Sequence, residues 1–251
     1  NLHPSSETSF HALIKHKYVL HVHSTATIAN AISQSSESDL KKYLDEDFIF
    51  IPYCRPGFTL TMEIKKLILP STNILILENH GLIVAGDDIE DTYKLLLKIH
   101  KKLDLIRNEK LAFDYLEKIT NIDGYIHKNT DKYKLFSTQN EKLFSLFPKS
   151  FYPDHVIFLG PGIPTFLEEK EANEFIQNLK RKDINLPPYL ILKYKGLFEN
   201  TLAIPAAKEM IDCFLEVLLR IDLSKTLKFL SSQQESELLN WDIEIYRQSI
   251  N

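Results

Sequence analysis

Short apolar runs alternate with amphipathic stretches along the chain, separated by turn residues. Tyr18-Val19-Leu20-His21-Val22-His23 has the composition of a strand, as do Phe48-Ile49-Phe50-Ile51 and Asn73-Ile74-Leu75-Ile76-Leu77. Pro52 stops the second of these, and Leu82-Ile83-Val84-Ala85 continues extended after Glu78-Asn79-His80-Gly81. Between them the pattern predicts helices: from Pro4-Ser5-Ser6-Glu7 to about His16, over 25–32, in a charged stretch ending near Leu44, and over 59–68. Serine is a good helix cap, and glutamate suits a first turn. Gly86-Asp87-Asp88 caps a longer helix in which Ile89, Tyr93, Leu96, Leu97, His100 and Leu103 recur at helical spacing, so this face is expected to be buried.

From about Leu111 to Lys149 the pattern weakens and turns lysine-rich, which predicts a connecting helical segment with loops. A second α/β pattern follows. Val156-Ile157-Phe158-Leu159 reads as a strand ending in Gly160-Pro161-Gly162, then come a helix over 168–181 and a strand over 189–194. A helix over 205–221 is expected to bury Ala207, Met210, Ile211, Phe214, Val217, Leu218 and Ile221, and a final helix covers roughly 225–247. The succession strand, glycine, short loop, helix occurs at 74–104 and again at 189–221, a weak internal similarity. The expected organisation is a first α/β domain over 1–110, a connecting segment over 111–150 and a C-terminal α/β subdomain over 151–251.

Composition narrows the function class. The chain has 251 residues, 44% of them hydrophobic and 25% charged, with a formal net charge of -4. That balance gives no basic footprint for nucleic acid. No apolar run approaches the ~20 residues of a membrane span, and the polar start does not resemble a secretory signal. Cys54 and Cys213 form neither a metal spacing nor a disulfide framework, which fits a cytoplasmic protein.

The candidate chemistry lies in histidines. Five of the nine fall in the first 23 residues. His11, His16, His100, His127 and His155 are expected to be ordinary surface or core residues. His21 and His23 differ, because residues i and i+2 of a strand share a face, and two imidazoles side by side suit a metal ion. His80, at the end of an apolar strand and just before Gly81, is a third candidate ligand, with a polar turn residue as the alternative. Glu7, at the head of the first helix, is either a fourth ligand and acid/base or a glutamate serving the helix dipole.

Pro-Ser-Ser-Glu-Thr-Ser-Phe-His-Ala at 4–12, His-Val-His-Ser at 21–24 and Glu-Asn-His-Gly-Leu-Ile-Val-Ala-Gly at 78–86 occur in that order. Together they resemble the class II aldolase/adducin family over about residues 3–110. Pro52-Tyr53-Cys54-Arg55-Pro56-Gly57-Phe58, with segments around 154–161 and 241–247, resembles a branch in which the aldolase part is fused to a short-chain dehydrogenase. This chain contains no Gly-x-Gly-x-x-Gly fingerprint. The resemblance implies an α/β fold of three-layer α/β/α type with a mostly antiparallel central sheet, plus a smaller C-terminal α/β subdomain. By motif position it implies His21, His23 and His80 as ligands of Zn²⁺ or another divalent metal. Glu7 becomes the acid/base that also touches the metal, and Ser5 and Ser6 help hold a substrate phosphate. Tyr53 is the nearest candidate for the proton donor to the leaving alkoxide.

The implied activity is that of a lyase of carbohydrate metabolism, a Zn-dependent aldolase making or breaking a C–C bond in a sugar or sugar phosphate through a metal-stabilised enediolate. A dehydratase, epimerase or decarboxylase using the same residues and a non-catalytic adducin-like module are the alternatives. The expected partners are a small-molecule substrate and further copies of the chain in a homotetramer, not nucleic acid or membrane. In the family, strands and an Asn- and Gly-containing phosphate loop precede the Pro-Ser-Ser-Glu segment by several tens of residues. Here six residues precede Glu7, so that portion either lies upstream of this sequence or is missing from a shortened relative.

Overall fold

The computed structural model describes residues 5–114 and 121–242; Pro4, the stretch 115–120 and the part of the expected final helix beyond 242 lie outside the described residues. The chain divides into two compact units, one formed by residues up to Leu105 together with Arg220–Phe229, the other by Ile106–Leu219 with residues from Leu230 onward.

The first unit runs α1 (Thr8–Leu13), β1 (Tyr18–Val22), α2 (Thr25–Ala31), α3 (Ser36–Tyr43), β2 (Ile49–Ile51), α4 (Phe58–Leu67), β3 (Ile74–Leu77), β4 (Gly81–Gly86) and α5 (Ile89–Leu103). Its sheet has the order β1-β4-β3-β2, with β4 antiparallel to both neighbours and β3 parallel to β2. The alternation of side chains along a strand covers both faces. Ile74, Ile76, Leu82 and Val84 pack with Ala26 and Ala31 of α2, Leu40 of α3, and Leu96, Ile99 and Leu103 of α5. Leu75, Leu77, Ile83 and Ala85 pack with Phe10 of α1 and with Leu60 and Ile64 of α4.

Local signals explain most of the element ends. The Ser24 hydroxyl accepts the Thr27 N–H to cap α2, and the Asp88 carboxylate accepts the Asp91 N–H to cap α5. Two expectations need correction. α1 is shorter than the sequence suggests, because the Ser5 hydroxyl and carbonyl accept the Glu7 and Thr8 N–H groups and close a turn ahead of it. Glu7 therefore occupies the N-cap position, with no capping bond from its side chain, instead of lying in the first turn, and the helix ends at Leu13. On α5 the buried stripe is Thr92, Leu96, Ile99 and Leu103, while Ile89, Tyr93 and Leu97 are exposed. Both stripes have helical spacing, and packing against β1 and β4 selects the first.

The second unit runs through a 3-10 turn (Glu109–Leu111), β5 (Tyr125–His127), a second 3-10 turn (Asp131–Ser137), α6 (Glu141–Phe144), α7 (Pro153–Leu159), β6 (Thr165–Phe166), α8 (Glu169–Arg181), β7 (Tyr189–Leu192), β8 (Gly196–Asn200), α9 (Pro205–Arg220) and α10 (Ser232–Leu239). Residues 156–159, expected as a strand, are helical. Pro153 starts the helix and Gly160, at φ 91°, ends it; a short apolar run alone does not distinguish the two states. The expected helix from 225 begins only at Ser232, where the Ser231 hydroxyl and the Gln234 side chain form a capping box. Ahead of it the Asp222 carboxylate accepts the Ser224 N–H in a turn. On α9, Met210 is half-buried while Ala207, Ile211, Phe214, Val217 and Leu218 are buried.

The second sheet has the order β5-β8-β7-β6, again with two antiparallel pairings and one parallel pairing. Counted within its own unit, each sheet has its first, fourth, third and second strands side by side, in matching directions. One face of the second sheet packs Leu190, Leu192 and Phe198 against Ala172 and Ile176 of α8. Elsewhere in this unit Phe136, Phe147, Phe151 and Phe214 form a buried aromatic core.

His155 is fully buried in that core, 4.5 Å from the Phe214 ring and stacked on Phe151, and neither ring nitrogen has a hydrogen-bond partner among the described residues. Burial pushes its pKa down to about 3. In the unfolded chain it titrates near ~6.5. The stability held by its neutral form is therefore fully present above that value and lost as pH falls toward 3. His155→Phe is expected to flatten the loss of stability on acidification below neutrality, measured by urea unfolding across pH. An unchanged pH profile would show that His155 is not the acid-sensitive group.

Candidate metal centre

The register between β1 and β4 builds the site. His21 lies opposite Ile83 and Val22 opposite Leu82, so the end of β1 reaches the turn that joins β3 to β4. That turn is Glu78-Asn79-His80, with Asn79 at φ 54°, a left-handed conformation that asparagine tolerates better than most residues. His80 thereby arrives beside His21 and His23, and Glu7, at the N-cap position of α1, is the fourth member of the cluster. Phe10 of the same helix is fully buried and meets the His21 ring edge-on at 5.4 Å.

The four ligand atoms converge. His23 Nε2 lies 3.1 Å from both His21 Nε2 and His80 Nε2. Glu7 Oε1 lies 3.3 Å from His21 Nε2, 3.4 Å from His80 Nε2 and 3.8 Å from His23 Nε2. Nitrogen and oxygen ligands sit about 2.0–2.1 Å from a tetrahedral Zn²⁺, which places them roughly 3.3 Å from one another. Four of the separations given lie within about 0.2 Å of that edge length, Glu7–His23 is longer at 3.8 Å, and all four atoms lie within 4.8 Å of one another.

Hydrogen bonding favours the same conclusion. His21 Nδ1 is 3.0 Å from the Leu82 carbonyl, which can only accept, so the proton sits on Nδ1 and the Nε2 lone pair faces the cluster. One proton on His23 Nε2 can satisfy only one of its two imidazole neighbours. The remaining lone pairs oppose each other unless a cation lies between them.

The electrostatics suit a cation as well. Burial by itself would raise the Glu7 pKa, but its close contacts with the His21, His23 and His80 rings outweigh it and hold the carboxyl far below the usual range. Burial holds His80 down to about 4 against the opposing pull of Glu7, so it stays neutral near pH 7. Among the described residues this is the one group of His, Cys, Asp or Glu side chains placed to hold a metal ion.

The other residues singled out from sequence occupy neighbouring positions. Ser5 is exposed and its hydroxyl accepts the Glu7 N–H; Ser6 is half-buried in the same turn. The Tyr53 backbone N–H donates to Glu78 at 2.9 Å, two residues before His80. Of the histidines expected to be ordinary, His100 bonds the Ser24 hydroxyl and His127 bonds the Lys195 carbonyl. Sequence reasoning missed Glu78, which is buried and salt-bridged to Lys228 at 2.5 Å. An acidic residue directly after Ile-Leu-Ile-Leu was the available signal; Lys228, 150 residues away, had none.

Residues 1–105 match the family described as class II aldolase and adducin N-terminal domain. Over these residues the chain is similar to that family. The uncharacterized oxidoreductase YuxG of Bacillus subtilis (strain 168) is 29% identical over 110 residues, 43% of this chain and 16% of that protein. This chain thus matches only about a sixth of that relative, and the oxidoreductase in its name describes that protein as a whole. A solved N-terminal class II aldolase domain of a conserved protein from Thermoplasma acidophilum is 29% identical, with a TM-score of 0.38, covering 40% of this chain and 46% of that one.

Gly81 tests the strand approach on which the candidate site depends. A Cβ there would overlap the Val22 carbonyl oxygen and lie 3.1 Å from His23 Cα, both backbone atoms. Gly81→Ala is expected to lower stability by about 1–3 kcal/mol and to weaken divalent-metal binding with it. A variant with wild-type Tm and wild-type metal uptake would show that the close approach is not needed.

Proposed function

We propose that the aldolase-type unit is a divalent-metal-dependent lyase that makes or breaks a C–C bond in a sugar or sugar phosphate, with Zn²⁺ as the resident ion. The observation that carries this reading is the convergence of the His21, His23, His80 and Glu7 ligand atoms within 4.8 Å of one another. A non-catalytic module of the same family has no need of that arrangement. A bound divalent ion supplies Lewis acidity to the carbonyl and hydroxyl oxygens of a ketose, stabilising the negative charge that develops as a C–C bond breaks.

The chain's own residues do the rest. His21 is held in the tautomer that offers Nε2, through its bond to the Leu82 carbonyl. Glu7, kept ionised, starts as a proton acceptor at Oε1 and moves the substrate proton. Tyr53 is our candidate for protonating the departing alkoxide, and Ser5 and Ser6, next to Glu7 in the chain, for holding an anionic substrate group. The family resemblance further motivates a three-layer α/β/α frame and a cytoplasmic homotetramer that serves carbohydrate metabolism. The free thiols Cys54 and Cys213 are compatible with a reducing compartment.

Protein purified without chelators is expected to carry about one divalent ion per chain, read by elemental analysis, and His23→Ala to lose it. A retro-aldol screen over ketose phosphates, detecting dihydroxyacetone phosphate, is expected to find turnover that disappears in the same variant. Native protein without bound metal, and unaffected by His23→Ala, would sink the reading. Turnover confined to dehydration, epimerisation or decarboxylation substrates would keep the metal centre and replace the aldol chemistry. Sedimentation velocity checks the assembly, and a monomer at working concentration removes the tetramer.

A further inference from the structure

We propose that Lys228 is a positioning residue for the metal centre, and that the segment Lys225–Phe229 completes a site whose ligands all lie before residue 81. The segment returns to the first unit and is fixed there by its backbone. The Gln34 N–H donates to the Thr226 carbonyl at 3.0 Å, the Lys228 N–H donates to the Ile32 carbonyl at 2.7 Å, and Ser33 and Leu227 form an antiparallel bridge. Residues 32–34 directly follow α2, the helix that begins two residues after His23.

From this anchor Lys228 grips the turn that carries His80 at two points. Its carbonyl accepts from the Asn79 side-chain amide at 3.0 Å, and its ammonium donates to Glu78 Oε1 at 2.5 Å. The other Glu78 oxygen accepts the Tyr53 N–H, and the Glu78 N–H donates to the Ile51 carbonyl. Glu78, Asn79 and His80 are 5%, 2% and 4% exposed, so these polar groups have little water to fall back on. A buried carboxylate that loses its cation is driven to move toward another partner or water. Here that carboxylate is two residues from a ligand, on a turn already in a left-handed conformation at Asn79. Holding imidazoles within about 0.5 Å of a productive geometry requires such support. Lys228 therefore acts on His80 through Glu78 and the turn, without touching the ligand atoms.

The test uses the full chain and two readouts. In metal-free protein, hydrogen exchange of the peptide covering 74–86 is expected to quicken in Lys228→Met while the rest of the chain keeps its wild-type rates. Titration with Zn²⁺ against a chromogenic chelator, which rests on the proposed function, is expected to show roughly 10–100-fold weaker binding. Lys228→Arg is expected to recover most of it. Glu78→Gln/Lys228→Met is expected to bind more tightly than Lys228→Met alone, because no unpaired charge is left. Wild-type exchange in 74–86, or Zn²⁺ affinity within about twofold of wild type, overturns the proposal, as does a loss that neither partner variant relieves. Should Lys228→Met fail to fold, the double variant decides. Folding with near wild-type exchange supports the clamp, and failure to fold shows that Lys228 does not work through Glu78. A wild-type chain that takes up no metal overturns the proposed function instead, and the exchange arm alone then judges the clamp.

Discussion

The pairing of β1 with β4 is the constraint on which the candidate site depends. It sets His21 opposite Ile83 and brings the end of β1 against Gly81, where the absence of a side chain lets the Val22 carbonyl come close. A slip of one residue would turn both His21 and His23 to the opposite face of the sheet. The register is held by apolar side chains on both faces, Leu82 and Val84 toward α2 and α5, Ile83 and Ala85 toward α1 and α4. Packing and chemistry are thus set by one alignment, and three imidazoles are forced together at distances that water or a proton satisfies poorly and a cation satisfies well.

What the sequence disclosed follows from the range of the interactions involved. His21 and His23 were legible because strand periodicity is local, and His80 because its turn sits at the end of an unmistakably apolar strand. The buried face of α5 was not legible. Two stripes shared helical spacing, and the choice depended on which strands the helix meets. Residues 156–159 were ambiguous for a related reason, since four consecutive apolar residues fit a strand or a turn of buried helix, and the proline and glycine around them decide. Glu78 and Lys228 were missed because their meaning lies in a pairing across 150 residues.

The two sheets share strand order and pairing directions, yet they present different chemistry at the corresponding hairpin. In the first, the residues between the paired strands are Glu78-Asn79-His80; in the second they are Lys193-Tyr194-Lys195. Each turn has its middle residue in a left-handed conformation, Asn79 in one and Tyr194 in the other. On β5 a histidine persists: His127 lies opposite Phe198 as His21 lies opposite Ile83. Its Nε2, however, meets the Lys195 carbonyl, and the ring stacks on Phe198. The same backbone arrangement therefore does not by itself create a metal site, which needs the histidine just after the strand and the histidine of the turn.

The family match ends at residue 105, but the network of polar contacts around His80 does not. Its buried carboxylate, Glu78, takes its cation from Lys228, and the adjoining asparagine is bonded to the Lys228 carbonyl. A boundary drawn from sequence similarity marks where side-chain identities stop repeating among relatives. It does not mark where the electrostatic environment of a ligand ends, because one ammonium from a distant segment determines whether a buried carboxylate is compensated. In this chain the segment that provides it is clustered with the first unit, while the residues on either side of that segment are clustered with the second. The physical unit of the candidate metal centre is accordingly larger than its family segment, and it is discontinuous in sequence.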